Sequence, residues 1–590
     1  MLFSTVGGME RVWPTVDTTD EIWASLLIRA VAYLADRISD DTDSTEVGGC
    51  GEAEPYGPDA AEDDQAYRAW LAAYAEKRDG ERAANRRELS HHRPPGISVV
   101  VGGNPVEPDL CARSLASARD QDLPVTDVVE ALTPELDLAD SWNAGASRAS
   151  GDFLAFVEAG DELEPGVLAD VALTLAGDPE IDLAYTDSDS LNQAGERIRP
   201  FFKPGWAPDQ LLSHMYLGRL TVVRRSLFES IGGFRSGFGQ SHEYDFALRA
   251  SERARRIVRV PVVGYHRRST PAESAGEGAN RALEAALRRR GEEAEVEPGL
   301  CPGTYRLRRP VSTDALVSVI VPFHNGAEHL RRCVRSLQQT AGHDRWEAIL
   351  VDNRSWDPNT RALLARTARD PRVRVISYPG SFNWAAINNR AVKESTGAHL
   401  LFMNADVEGR SDGWMDAMLE HSQRPEIGAV GARLLYPDGR VQHAGVVMGL
   451  GGGVAWHIFC NCPESSSGYF DQAKVIRNCS AVTGACMMVR RDAFERLGGF
   501  SEDLAVAYND VDFCLRLQHE GYRVVYTPFA ELVHDESQTR GRMPPDRHAV
   551  DTMTARWGDW IRCDPYFNPN LDRYRAEGVV AGPEGGIDVH

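Results

Sequence analysis

Three short polar runs stand where apolar strands should end, and each could touch a ligand. Ala348-Ile349-Leu350-Val351 runs into Asp352-Asn353, and Leu400-Leu401-Phe402-Met403 runs into Asn404-Ala405-Asp406. After Gly498-Gly499-Phe500, the run Tyr508-Asn509-Asp510-Val511-Asp512 opens an amphipathic segment with Phe513, Leu515 and Leu517. In an open α/β sheet, ligands bind outside the carboxyl ends of the strands, so acids and amides at these places are set to hold a polar substrate. Each run alone has an ordinary alternative, because an Asp after a strand also closes turns and caps helices.

The elements that must position these runs occur twice. Val317-Ser318-Val319-Ile320-Val321 is a β-branched run that predicts a buried strand, and Ile97-Ser98-Val99-Val100-Val101, released by Pro94-Pro95-Gly96, is its near twin. Gly151 and Gly397 each precede an apolar strand at an offset of 246. Arg224-Arg225 through Gly232-Gly233-Phe234 matches Arg490-Arg491 through Gly498-Gly499-Phe500 at 266. Asp245-Phe246-Ala247-Leu248-Arg249 matches Asp512-Phe513-Cys514-Leu515-Arg516 at 267, and His266 matches His534 at 268. Blocks in one order with slowly growing offsets predict two copies of one fold. Alternating strands and helices within each copy predict α/β domains with largely parallel sheets.

Length and charge agree with two domains and exclude some partners. A chain of 590 residues exceeds what one core supports. Its 64 Lys and Arg against 87 Asp and Glu leave a net charge of −23, which argues against nucleic acid and against general adhesion to an anionic membrane. Residues 1–64 carry −12 of that charge. Within them Thr18-Thr19-Asp20-Glu21 predicts a helix start, with Ile22, Leu26, Leu27, Ala30, Val31, Leu34 and Ile38 as one apolar stripe, and residues 39–64 read as a solvated linker. The ten cysteines form no CxxC pair, which fits reduced thiols in a cytoplasmic protein. No apolar run approaches a spanning helix, and the N-terminus has no signal-peptide pattern, so the expectation is a soluble chain.

Taken together, residues 315–570 resemble a family 2 glycosyltransferase domain of the GT-A fold, in the branch associated with O-antigen and other surface polysaccharides, including rhamnosyltransferase-like members. The resemblance rests on Val317 through Pro322, Val351-Asp352-Asn353, Phe382 through Asn389, Asn404-Ala405-Asp406, Val441-Gln442-His443-Ala444-Gly445, Thr483-Gly484-Ala485-Cys486, Asn509 through Arg516 and Asp564 through Leu571. It implies two tandem GT-A domains with mixed, mostly parallel sheets. The chain then divides into an acidic helix and linker (1–64), a degenerate copy (65–310), a complete copy (311–575) and a disordered tail (576–590).

The same resemblance implies roles. Pro322, Asp352, Asn353, Asn383, Asn389, Asn404 and Asp406 would hold a nucleotide sugar, with Asp352 on the base. Asp406 would hold Mg²⁺ or Mn²⁺ against the diphosphate, as a hard cation taking part of its shell from phosphate. His534 either adds a nitrogen ligand or is an ordinary strand-end histidine. Asp510 would be the base that takes the acceptor hydroxyl's proton in an inverting displacement. Gly484 and Asp512 would support it, although Asp512 reads better as a helix cap. The acceptor would be a glycan or lipid-linked glycan, with the protein cytoplasmic and in peripheral contact with the membrane's inner face. The competing reading is a non-catalytic carbohydrate-binding or scaffold component.

The first copy departs from this pattern. The 246 offset puts Glu158-Ala159-Gly160 over Asn404-Ala405-Asp406, so a glycine takes the metal position with Asp161 one place late, and the 267 offset puts Glu243 over Asp510. Strand one to the metal motif is 26 residues shorter, which removes the expected base pocket and leaves Val128-Val129-Glu130 as its remnant. Pro200-Phe201-Phe202-Lys203-Pro204 still resembles the family. This copy is expected to be inert or altered, serving as a scaffold or acceptor surface.

Overall fold

The computed structural model describes residues 60–89, 91, 94–103, 107–123, 125–268, 276–536 and 547–581. The helix read at 18–38, most of the linker and the end of the tail lie outside these residues. Ala60–Leu89 is a single helix that starts inside the stretch read as linker. It docks on the first copy, where Arg82 Nε donates to Asp122 at 2.6 Å and the Tyr67 hydroxyl donates to Asp189 at 2.6 Å.

Each copy is built on a mixed sheet, and the strand orders coincide. The first runs Asp127–Leu132, Ile97–Gly103, Phe153–Glu158, Thr221–Arg224, Ile181–Leu191, Arg256–Arg268, Glu162–Leu163. The second runs Val373–Ser377, Trp346–Asp352, Val317–Phe323, His399–Met403, Cys486–Arg490, Ile427–Leu435, Arg523–His534, Val407–Gly409. In both, parallel pairs flank the first strand and antiparallel pairs surround the strand before the Arg-Arg block. The β-branched runs Ile97–Gly103 and Val317–Phe323 are buried along their whole length, as central strands covered on both faces must be. The difference lies at one edge. The second sheet adds Val373–Ser377 beyond Trp346–Asp352, with the helix Pro358–Thr367 between them, and this is the segment missing from the first copy.

The copies share a buried contact. Asp209 of the first copy, 2% exposed, accepts from Arg424 at 2.7 Å, Arg523 at 3.0 Å and Asn478 at 2.7 Å. Burial alone would raise this carboxyl, but the two guanidinium groups hold it well below the usual range. Phe201 stacks on Phe470, and Asn568 Nδ2 donates to Asp187 at 2.8 Å. Gly205 donates its N–H to Pro565 at 3.0 Å, and a Cβ there would lie 2.1 Å from that oxygen. Thus Pro200–Pro204 and Asp564–Leu571, two blocks of the family resemblance, meet at this interface. Tyr67, Trp70, Phe202 and Val263 join the same apolar cluster as Ile320 and Leu400 of the second sheet. Residues read as tail also pack here, since Ala576 and Ala581 are each 3% exposed.

Among the described residues no helix is long and apolar enough to cross a membrane, and the nine cysteines among them are all unpaired.

Candidate active site

Asp406 and His534 meet because their strands do. Val407–Gly409 pairs antiparallel with the end of Arg523–His534, with Val407 opposite His534. This brings His534 Nε2 within 3.2 Å of Asp406 Oδ1. His534 Nδ1 lies 2.6 Å from Gln442 Oε1, and Gln442 Nε2 donates to Glu536 at 3.0 Å, which fixes the amide's orientation. Nδ1–H therefore faces Gln442 and Nε2 faces the carboxylate, the arrangement that outer hydrogen bonds impose on metal-binding imidazoles. Burial pushes Asp406 up, but the hydrogen bond and charge of His534 overcome it and hold the carboxyl below its ordinary value. Among the described residues no group of three or more His, Cys, Asp or Glu side chains is gathered for a metal. Asp406 and His534 fit a hard cation as two ligands, with oxygen positions left for a diphosphate and water.

Asp510 stands at the start of the helix Asn509–His519, half-buried. Its Oδ2 accepts from Gly484 N at 2.7 Å and its Oδ1 from Val511 N at 2.9 Å. Desolvation raises its pKa above the ordinary carboxyl value against these two N–H groups. Gly484 is required by space, because a Cβ would lie 2.7 Å from the Trp384 ring. Trp384 connects the two acids: Nε1 donates to Asn404 at 3.3 Å beside Asp406, while its ring covers Gly484 beside Asp510. Asn404 N in turn donates to Ala485 O at 2.9 Å.

The remaining expected residues divide. Asp352 Oδ1 takes the Ser355 N–H at 2.8 Å, and Asn353 Nδ2 donates to Tyr378 and Gly380 carbonyls at 3.0 and 2.9 Å. These contacts build one wall around the strand end, beside Trp356, which is 69% exposed. Pro322 lies buried in the neighbouring strand, opposite Val351. Asn383 caps the helix Trp384–Val392 through Ala386 N at 2.9 Å and donates to Glu502 O at 2.8 Å. Asn389 exchanges two 2.9 Å hydrogen bonds with the backbone of Phe500. Both amides are engaged within the protein, Asn389 also donating to the Glu502 carboxylate at 3.0 Å.

Asp512 lies in the first turn of its helix, as the helix-cap reading expects, but its carboxylate is engaged by other side chains. It is fully buried and accepts from Arg516 at 2.8 Å, Arg556 at 3.1 Å and Trp557 at 3.0 Å, so it ties two helices together. Its counterpart Asp245 accepts from Arg249 at 2.8 Å in the same way.

The first copy corrects a reading. Glu162 pairs with His266 as Val407 pairs with His534, so Asp161, not Gly160, holds the place of Asp406. The turn carries one extra residue, which a constant offset could not reveal. Asp161 is not open to a ligand: its Oδ2 accepts from the Tyr265 hydroxyl at 2.6 Å and Arg219 at 3.1 Å, and its Oδ1 from Arg268 N at 2.8 Å. His266 faces Asp189 at 2.6 Å and Glu164 at 3.0 Å instead. Gln442, Trp384 and Arg219 had no assigned roles from sequence. Gln442 and Trp384 had a signal, their places inside the Val441–Gly445 and Phe382–Asn389 blocks, and Arg219 had none.

Residues 318–498 match Glycosyl transferase family 2, and residues 439–564 match Glycosyl transferase family group 2. The O-antigen biosynthesis protein RfbC of Myxococcus xanthus is 41% identical over 465 residues, 77% of this chain and 36% of that protein. The uncharacterized protein y4gI of Sinorhizobium fredii is 37% identical over 466 residues, 76% of this chain and 51% of that one. The N-acetylglucosaminyl-diphospho-decaprenol L-rhamnosyltransferase of Mycobacterium tuberculosis is 29% identical over 256 residues, 40% of this chain and 81% of that enzyme. This chain thus spans about a third and about half of the length of the first two relatives.

Proposed function

We propose that the C-terminal half of this chain, whose residues 318–498 match glycosyl transferase family 2, moves a sugar from a nucleotide-diphosphate donor onto a growing cell-surface glycan, inverting the anomeric carbon. The observation that carries the reading is the pairing of Asp406–His534 with Asp510 across Trp384 and Gly484. Asp352 and Asn353 line the donor's base. Asp406 and His534 hold a divalent cation, Mg²⁺ or Mn²⁺, at the donor diphosphate. When bound, that ion supplies charge neutralisation for the departing nucleoside diphosphate.

Asp510 takes the proton of the acceptor hydroxyl as it attacks. A carboxylate is a better base when its pKa approaches the working pH, and desolvation moves Asp510 that way. The N–H groups of Gly484 and Val511 meanwhile fix its orientation. A rhamnose donor and a lipid-linked acceptor are supported by the likeness to the decaprenol L-rhamnosyltransferase, and a cell-surface glycan by the likeness to the O-antigen biosynthesis protein; work at the cytoplasmic face of the membrane is part of the same proposal.

The test is release of nucleoside diphosphate by the purified chain across a panel of nucleotide sugars with Mg²⁺ or Mn²⁺. One donor should be turned over by the native chain, and neither Asp406→Ala nor Asp510→Asn should turn it over at a comparable rate. Turnover by both variants at the native rate sinks the reading.

A further inference from the structure

Three carboxylates of the first copy converge on one guanidinium. Arg219 binds Glu158 and, at 3.1 Å, Asp161 through Nη1, and binds Glu243 at 2.9 Å through Nε. Glu158 stands over Asn404, Asp161 over Asp406 and Glu243 over Asp510, so the guanidinium sits among the counterparts of the metal and base residues. Arg224 and Arg490 occupy the same register position, opposite Phe153 and His399, which puts Arg219 where the second copy has Ala485. Lys203 Nζ pins this backbone by donating to the carbonyls of Leu217 at 2.6 Å and Arg219 at 2.8 Å. The cavity left around Arg219, Glu243 and Phe156 is about 10 Å³, room for no more than one water and far too small for a sugar.

We propose that the first copy keeps a cation site whose occupant has become part of the chain: the Arg219 guanidinium stands where the second copy, on the reading above, holds a divalent ion. A tethered cation neutralises the same acids and also fills the space a donor would enter. The first copy therefore takes neither metal nor nucleotide, and its acids serve to hold the fold together. Removing the guanidinium exposes three carboxylates to solvent ions, and such an oxygen set suits a hard cation.

The experiment uses the full chain carrying Asp406→Asn, which disables the proposed ion site of the second copy. Tb³⁺ is the probe, excited through Trp142, whose ring lies 5.9 Å from the guanidinium carbon. Adding Arg219→Ala should create saturable Trp-sensitised luminescence that Ca²⁺ or Mn²⁺ displaces. Further substitution of Glu158→Gln with Asp161→Asn should abolish it. Equal luminescence with Arg219 intact, or none after its removal, overturns the proposal. Stability gives a second reading, because leaving buried Asp161 and half-buried Glu243 without their counter-ion should lower Tm by roughly 6–20 °C. Either millimolar Ca²⁺ or the Glu158→Gln, Asp161→Asn pair should restore it, and a loss that neither restores counts against the proposal. Nucleoside diphosphate release by the chain with native Asp406 reports separately on the function proposed for the second copy.

Discussion

Asp510 and Glu243 begin equivalent helices, yet their surroundings drive them in opposite directions. Burial works against charge on both. At Asp510 it prevails and raises the pKa, while at Glu243 the Arg219 guanidinium, with help from His242, reverses it and lowers the pKa. The framework around them hardly differs. Asn143 exchanges hydrogen bonds of 2.8 and 2.9 Å with Phe234 as Asn389 does with Phe500, and Gly233 and Gly499, at φ +68° and +83°, approach those amides too closely for a Cβ. The comparison teaches that ties holding the repeat are distinct from groups available for chemistry. Change was concentrated at the Ala485/Arg219 position and at the edge strand Val373–Ser377.

The most direct way to break this comparison is to make matched substitutions in both copies. Asp406→Ala is expected to lower transfer by about a thousandfold or more, since the ion's charge stabilisation is worth several kcal/mol. Asp510→Asn should lower it by about a hundredfold to ten-thousandfold. Asp161→Asn and Glu243→Gln should leave transfer per folded molecule within about twofold, although they loosen the buried ion cluster around Arg219. Steady-state rates of nucleoside diphosphate release, normalised to folded protein by circular dichroism, decide the matter. A loss of rate in the first-copy variants as large as in the second would erase the distinction.

The interface sharpens the comparison from the side of stability. Asp209→Ala leaves Arg424 and Arg523 facing each other without their shared carboxylate. Removing one partner of such a buried cluster costs about 3–5 kcal/mol, read as a shifted urea midpoint. The transfer rate at low denaturant should be retained. A smaller effect is expected on the ion's affinity: Gln442→Ala frees the His534 ring and should weaken Mn²⁺ binding by about tenfold to a hundredfold, measured by calorimetry with nucleoside diphosphate present.

How much of this was legible in the sequence follows from what each feature depends on. Strands such as Val317–Phe323 announce themselves because a buried parallel strand must be apolar throughout, and the order of blocks revealed two copies. The Asp406 and Asp510 runs were found because strand ends and helix starts are local features. Asp161 was seen but set aside as one place late, because a one-residue insertion in a turn shifts a count but leaves strand register intact. Asp512 was read only in part, because its place in a first helical turn suits the helix dipole as well as pairing to Arg516. The Asp-x-x-x-Arg spacing repeated at Asp245 and Arg249 was the clue. Arg219 and Asp209 carried no signal at all, since their meaning lies in partners 24 to 314 positions away.

The finest distinction between the copies is one of pH and stability at a single carboxyl. Asp510 has its folded pKa raised above the unfolded value, so keeping it ionised costs the folded protein at neutral pH and costs nothing below the unfolded pKa. Asp510→Asn removes that cost, and its Tm at pH 7 should equal or exceed that of the native chain while activity is lost. Below the unfolded pKa the two melting temperatures should converge. Glu243 has its pKa lowered, so the sign inverts: its contribution is present above the unfolded pKa, and Glu243→Gln should lower Tm at pH 7. As pH falls through the lowered folded pKa, that difference should vanish. Transfer by the native chain should also decline as pH falls through the raised pKa of Asp510, because only the ionised carboxylate accepts the acceptor's proton. Melting curves from acid to neutral pH for the two variants and the native chain resolve the pair, and shifts of the same sign in both would show that Arg219 does not separate them.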